Sequence, residues 1–330
     1  MIYLKSAYLH VIDREAGLPI FSSVALDLSK EFIREFIEKK ITKISNAKAQ
    51  TGYLSPTSIV NELIMSNQDN FAALNQQVVE RWYQCYVESE GAPSCDVLIV
   101  SFEREETSHL AFLKMDYQTG FTHAIESNEQ TFFTDLLMHR ALIPSLSQVA
   151  SEGFLLELST KRFELNEKKY EFSGKKMAYL AEKVLQSPVE LSFTQQVTVL
   201  EKTAKKVGEK FSEEGVAFQA TVQDVLATSF VEEEETSVEK IAQHVFQDNP
   251  IAQKAFIEEV AEKGVHDDMP TIHNIEKVSA KKFEKQKIKL ANGIEVIIPM
   301  ELYRDPNVVE FVQQPDGTLS VILKDQIVQD

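Results

Sequence analysis

The sequence has few cysteines and lacks the long apolar run that a membrane span requires. Its apolar runs, such as Val97–Val100 and Val296–Ile298, have the length of β-strands and fall far short of the roughly 18 residues that cross a bilayer. Residues 2–13 alternate apolar and polar side chains and include charged ones, which predicts a strand rather than a secretory signal. These absences favour the cytosol. Cys85 and Cys95 are therefore expected to be reduced thiols, with a disulfide between them as the less favoured alternative.

Motifs of common catalytic and nucleotide-binding sites are also missing. The sequence contains no G-x-G-x-x-G, no G-x-S-x-G and no H-E-x-x-H. Gly174-Lys175 could belong to a phosphate-binding loop, but Lys169 stands where the first glycine of that loop belongs. Lys176 likewise stands where the magnesium-binding hydroxyl belongs. The sequence therefore predicts no catalytic residue and no cofactor, and the chain is not expected to be an enzyme.

One cluster of metal-ligand residue types does occur, in "VHDDMPTIH". His266, Asp267, Asp268 and His273 all carry side chains that bind divalent cations. The competing interpretation, a polar linker stiffened by Pro270, is favoured, so no metal site is predicted. A nuclease or another metal-dependent hydrolase would depend on this segment alone.

Positive charge is scarce in the chain. It has 34 lysines and arginines against 51 acidic residues, a formal net charge of -17 and a pI of about 5.0. A polyanion repels such a molecule as a whole, so contact with nucleic acid must be local and salt-sensitive, or made through a partner. No membrane partner is expected.

Strand and helix patterns predict an α+β fold. Residues 1–165 carry alternating runs and helical stretches, which predict one α+β domain with helices packed on an antiparallel sheet. Within this domain, residues 2–13 and 19–27 are expected to pair as a hairpin, and so are "CDVLIVSFE" and residues 108–117 across the polar "REET". The run "TFFTDLLM" is expected to be a strand, with a helix as the alternative.

The second half of the chain predicts helices followed by hairpins. Residues 166–266 are predicted to be a helical region, in which Ser192 caps one helix and Pro250 starts another. Residues 267–330 are predicted to form a small β-hairpin unit. Its turns are expected at Asn292-Gly293 and around Pro315-Asp316-Gly317.

Two locally positive segments stand out from the acidic background, at residues 161–183 and 276–289. The predicted nucleic-acid contacts lie in them, at Lys168, Lys169, Lys175, Lys176, Lys183, Lys277, Lys281, Lys282 and Lys285. The alternative interpretation is that these lysines are solvated beside neighbouring glutamates.

In the first segment, "SGKKMAYLAEKVLQ" predicts a helix that begins at Ser173-Gly174. Met177, Leu180 and Val184 would share its buried face. The free backbone amides of its first turn would then lie beside Lys175 and Lys176 and form an anion-binding corner.

The sequence resembles the bacterial nucleoid-associated protein family of the NdpA (YejK) type. "GKKMAYL", residues 174–180, is similar to that family's Gly-Arg-Lys segment, and "NGIEVIIPMELYRDPNVVEFVQQPDGTLSVILKDQ", residues 292–326, is similar to its paired hairpins and Asp-Pro turn. The resemblance implies a mixed α/β start, a helical middle, a β end and a role at the nucleoid. This chain departs from the family in having "NEKKYEFSG" where more arginine and glycine are expected, and lysine lacks the bidentate fork with which arginine binds phosphate.

Two functional hypotheses follow from charge and resemblance. In the first, a cytoplasmic nucleoid protein binds DNA weakly and without sequence preference through the lysine-rich segments. In the second, an acidic adaptor reaches the nucleoid through a basic DNA-binding partner, such as a topoisomerase subunit. The oligomeric state follows from neither.

Overall fold

The computed structural model describes residues 2–324 with the exception of 16, 18, 47, 128–130, 213–215, 232–236, 267–284, 290–292, 304, 306 and 314–318. Its internal contacts divide the chain into two compact units, residues 1–190 and 191–330. No helix among the described residues is both long enough and apolar enough to cross a membrane.

A six-stranded sheet forms the centre of the first unit, and each of its neighbouring strands is antiparallel. In spatial order the strands are β1 (Ile2–Ile12), β3 (Cys95–Arg104), β4 (Thr107–Asp116), β7 (Glu152–Glu157), β8 (Arg162–Asn166) and β2 (Gln50–Tyr53). The predicted hairpin across "REET" is confirmed as β3–β4. The predicted strand over residues 19–27 is wrong, because only an isolated bridge between Val11 and Ile20 forms there.

Helices cover both faces of this sheet. Helix α1 (Glu31–Ile44) packs on one face, and α2 (Ile59–Ser66) with α3 (Phe71–Tyr86) packs on the other. The central strands β3 and β4 are therefore buried on both sides, which explains their nearly continuous apolar sequence. This arrangement confirms the predicted α+β class with an antiparallel sheet.

A two-stranded arm is inserted between β4 and β7. It consists of β5 (Gln118–Ser127) and β6 (Phe132–Leu142), which pair with each other and with no other strand that the structure describes. "TFFTDLLM" thus lies in a strand, as predicted. Every residue of β6 is exposed, as are most of β5.

The last part of the first unit is a small hairpin and one short helix. Strands β9 (Tyr170–Phe172) and β10 (Lys175–Met177) pair, and a π-helix follows over Leu180–Leu185. Tyr170, Phe172 and Met177 contact the core on the α3 side of the sheet, so the hairpin lies on that side.

The second unit begins with four helices, α4 (Phe193–Lys210), α5 (Val216–Val231), α6 (Val238–Val245) and α7 (Pro250–Glu262). The predicted start signals are confirmed. Ser192 and Gln195 form a capping box at α4, and Pro250 occupies the first turn of α7. Lys206 and Lys263 both pair with Glu259, at 2.6 and 3.0 Å.

Two hairpins and a short helix complete the second unit, in agreement with the predicted β end. Strand β11 (Lys285–Lys289) pairs with β12 (Glu295–Pro299), helix α8 (Met300–Tyr303) follows, and β13 (Val309–Gln313) pairs with β14 (Leu319–Leu323). Gly293 in the first turn has φ of 90°, a left-handed conformation that favours glycine.

Candidate nucleic-acid interface

A tight hairpin turn, not a helix, presents Lys175 and Lys176. Ser173 and Gly174 have φ of 49° and 76°, and Phe172 pairs with Lys175 directly across them. Positive φ at both residues of a two-residue loop is typical of a type I′ turn. The predicted helix start at Ser173-Gly174 is therefore wrong, because the flanking runs pair as strands and the helix begins only at Leu180.

The predicted anion-binding corner is also wrong. At the start of the π-helix, the backbone amides of Leu180 and Ala181 donate to Glu167 Oε2, at 3.0 and 3.3 Å. Burial raises the pKa of the Glu167 carboxyl to about 7, against the opposing effect of these two hydrogen bonds. A carboxyl group of the chain itself thus occupies the position predicted for an external anion.

The aromatic ring of Phe172 brings two of the predicted lysines together. Lys183 Nζ lies 4.4 Å from the centroid of this ring. Lys175 is the direct cross-strand partner of Phe172, so its Cβ is about 5 Å from that of Phe172 on the same side of the hairpin. Lys175 and Lys183 therefore both neighbour Phe172, one across the strand pair and one over its ring, although eight residues separate them in the sequence.

Two of the five predicted lysines in this segment have acidic partners. Lys168 Nζ lies 2.7 Å from Asp116 Oδ2, and Lys183 Nζ lies 2.7 Å from Glu88 Oε2. Both carboxyl groups have a lowered pKa. For Glu88 the hydrogen bond from Lys183 is the largest cause, and for Asp116 the nearby lysines outweigh the opposing effect of burial. These two lysines are thus already neutralised within the chain.

The other three lysines remain available to an external anion. Lys169, Lys175 and Lys176 are exposed, and none of them forms an ion pair with another residue that the structure describes. Lys176 lies across the hairpin from Glu171, whose backbone carbonyl accepts from Glu90 N at 2.8 Å. Lys175 and Lys176 therefore form a small cationic tip beside the turn, within an acidic surrounding, and Lys169 lies at the other end of the hairpin, just before β9.

A buried polar cluster, which the sequence did not predict, anchors this hairpin to the sheet. Lys114 on β4 is fully buried and lies 2.8 Å from Glu152 and 2.5 Å from Asp116. Glu152 also accepts from the hydroxyl of Tyr170 and from the backbone amide of Lys168, at 2.9 and 3.1 Å. Burial alone would lower the pKa of Lys114, but the two carboxylates and neighbouring groups raise it above its usual value. The sequence signal was a lysine in the middle of the apolar run "LAFLKMD".

The second lysine-rich segment belongs to the other unit. Lys285 is exposed at the start of β11. The three other predicted contacts, Lys277, Lys281 and Lys282, lie outside the described residues.

Two further expectations concern metal and thiols. His266 is exposed, whereas Asp267, Asp268 and His273 lie outside the described residues. Among the residues that are described, no group of three or more His, Cys, Asp or Glu side chains could hold a metal ion. Cys85 and Cys95 are both free and buried, as predicted for reduced thiols.

Comparison with known proteins identifies the family. A search of curated proteins finds no significant match. A family model described as nucleoid-associated protein YejK matches residues 9–329, which is nearly the whole chain. This match confirms the resemblance predicted from "GKKMAYL" and the C-terminal hairpins. The chain belongs to the family of the nucleoid-associated protein YejK.

Proposed function

We propose that this nucleoid-associated protein contacts DNA directly, weakly and without sequence preference, through the β9–β10 hairpin and Lys169 just before it. The observation that carries the proposal is the set of three exposed lysines that form no ion pair with any described residue, Lys169, Lys175 and Lys176. Each ammonium group is a point charge that can approach a phosphate. None offers the bidentate geometry that reads a base edge. The expected contact is therefore with the DNA backbone.

The neutralised lysines have a different role in this proposal. Lys183 pairs with Glu88 and lies over the ring of Phe172, and Lys168 ties the start of the hairpin to Asp116. They position the tip rather than contact DNA. In the second unit, Lys277, Lys281, Lys282 and Lys285 remain proposed contacts.

Three phosphate contacts make a weak and salt-dependent complex. Counterion release gives a slope of about 0.9 per phosphate in a plot of log affinity against log salt, hence roughly 2.7 for three contacts. Between 50 and 200 mM salt the affinity would then fall about 40-fold. The net charge of -17 opposes contact through the remaining surface and so orients the molecule with its hairpin towards DNA.

Fluorescence anisotropy with a labelled 20-base-pair duplex tests the site. Lys175→Gln with Lys176→Gln removes two of the three free charges, and the affinity at low salt is expected to fall by at least tenfold. The matched control is Lys30→Gln with Lys39→Gln, which changes the net charge equally at α1, on the opposite face of the sheet. Equal losses in the two double variants would contradict the proposed site.

The second candidate is an acidic adaptor that a basic DNA-binding partner, such as a topoisomerase subunit, recruits to the nucleoid. The acidic surrounding of the hairpin, with Glu88, Glu90 and Glu171 close to the lysines, favours it. Co-purification of basic nucleoid proteins that persists after nuclease treatment, together with no retardation of DNA by the purified chain, would support the adaptor over direct binding.

A further inference from the structure

The β5–β6 arm has one apolar face that packs against nothing within the described part of the chain. Side chains that are directly opposite or two residues apart share a face of a strand pair. The register therefore places five large apolar side chains on one face, between 47% and 81% exposed: Phe121, Ile125, Phe132, Leu136 and Met138. The described residues of this face include no carboxylate, and Arg140, near the base of the arm, is their one lysine or arginine. The opposite face carries Glu126 and Asp135 beside Phe133 and Leu137.

This face is too large to be an incidental surface feature. A large apolar side chain has roughly 150–250 Å² of surface. Multiplied by the exposed fractions of the five side chains, this gives about 600 Å² of exposed apolar surface on this face of the arm. Soluble monomers seldom expose a contiguous apolar patch above a few hundred Å², and larger patches mark interaction sites.

A second uncovered apolar surface lies in the same unit. A groove of about 410 Å³ runs between α1 and the strands next to it, and Ile143 and Leu146, just after the arm, line one side of it. Phe32 and Phe36 of α1 line the other side, and Glu35 is the one charged residue among the described residues that line it. Phe32 is 69% exposed, although a phenylalanine on a core-facing helix is ordinarily covered.

The arm does not cover this groove within its own chain, since its apolar side chains and Phe32 are all exposed. Each of its strands is 10 or 11 residues long, so its tip lies about 30 Å from its base. Phe132 at the tip is therefore remote from Ile143, which directly follows the base and lines the groove. A second copy of the chain, related by a twofold axis, has no such restriction.

We propose that two copies of this chain form a dimer by reciprocal arm exchange, in which the apolar face of each arm covers the α1 groove of the partner. A twofold axis uses the same arm and groove twice, so the interface closes on itself and does not propagate. Two arms of about 600 Å², with the grooves that they cover, reach the roughly 1,200–2,000 Å² of a stable interface.

Charge also favours this surface for self-association. Two chains of net charge -17 repel each other, and they approach at least cost through surfaces that carry little negative charge. The arm face has Arg140 and no carboxylate among its described residues, and Glu35 is the one acidic residue among those that line the groove. This inference does not depend on DNA binding.

Light scattering coupled to gel filtration tests the dimer with the full chain. The wild-type chain is expected at twice its monomer mass of 37.4 kDa. Leu136→Glu adds a carboxylate to the apolar face and is expected to weaken the dimer about 100-fold or more, because the charge must be buried unpaired. Thr122→Glu adds the same charge to the opposite face of the same arm and is expected to leave the dimer intact.

A mixing experiment tests the exchange of arm and groove. Phe32→Glu damages the groove, and alone it is expected to give monomers with unchanged circular dichroism. Mixed with Leu136→Glu, it is expected to give heterodimers, because one intact arm then meets one intact groove. A monomeric wild-type chain, including one that binds only a different protein, would overturn the proposal. So would a dimer that resists Leu136→Glu, or one that resists Phe32→Glu.

Discussion

Lys114 is expected to contribute more to the stability of the first unit than any other charged side chain of the hairpin region. Its ammonium group is fully buried between Glu152 and Asp116 and donates to the hydroxyl of Tyr170 at 3.0 Å. Lys114→Met retains most of the aliphatic side chain but leaves Glu152 as a buried carboxyl without a cation. Loss of one partner of a buried ion pair costs about 3–5 kcal/mol, and the free energy of unfolding is expected to fall by that amount.

A second substitution distinguishes the contribution of the ion pair to stability from that of side-chain packing. Glu152→Gln removes the charge but keeps an oxygen that can accept from Tyr170 and from the backbone of Lys168. The double variant Lys114→Met with Glu152→Gln is therefore expected to recover part of the loss, with a coupling of about 1–3 kcal/mol between the two positions.

Urea unfolding followed by tryptophan fluorescence measures both quantities. Trp82 is the single tryptophan. It is buried, its ring centroid lies 4.6 Å from that of Tyr86, and its indole donates to Tyr179 at 2.9 Å. Its fluorescence thus reports the first unit next to the cluster. A cost below about 1 kcal/mol for Lys114→Met, or a double variant no more stable than the single one, would refute this account of a buried charge pair.

Three smaller predictions concern the hairpin, its neighbouring helix and the second unit. Because burial raises the pKa of Glu167 to about 7, the stabilisation from its neutral form is complete below about pH 4.5 and is lost as the pH rises through 7. In urea titrations, the stability of Glu167→Gln relative to wild type should therefore increase as the pH rises from 5 to 8. A difference in the free energy of unfolding that does not change with pH would contradict this. In Gly174→Ala the added Cβ meets no atom within 4 Å, but alanine must adopt φ of 76°. The free energy of unfolding should therefore fall by about 1–2 kcal/mol, and DNA binding should weaken. An unchanged free energy of unfolding in the same titrations would argue against the turn. Ser192→Ala removes the cap of α4 and should cost about 1 kcal/mol in thermal unfolding, and an unchanged melting temperature would contradict the capping box.

Local patterns sufficed to predict most of the fold. Two strand-length apolar runs on either side of the polar "REET" predict β3–β4. Ser192 and Pro250 mark the starts of two helices through residues that lie within one helical turn. Such signals depend on residues within a few positions of one another, so they can be recognised in a single sequence without knowledge of the fold.

The candidate site was harder to predict because its geometry depends on residues far apart in the sequence. β4 pairs with β7 across the inserted arm, and only this pairing brings Glu152 to Lys114. The helical spacing from Met177 to Val184 concealed the Ser173-Gly174 turn, and Glu90 pairs with the outer side of that hairpin from more than 80 residues away. Similarly, the pairing of Lys168 and Lys183 with Asp116 and Glu88 reduces the free cations from five to three, which composition could not show.

The salt dependence of DNA binding tests the central proposal most directly, because it counts phosphate contacts. For the wild-type chain, log Kd against log salt is expected to rise with a slope of roughly 2.7 or more. Lys175→Gln with Lys176→Gln should reduce the slope by about 1.8, whereas Lys30→Gln with Lys39→Gln should leave it unchanged. An unaltered slope in the Lys175 and Lys176 double variant would contradict DNA contact through this hairpin.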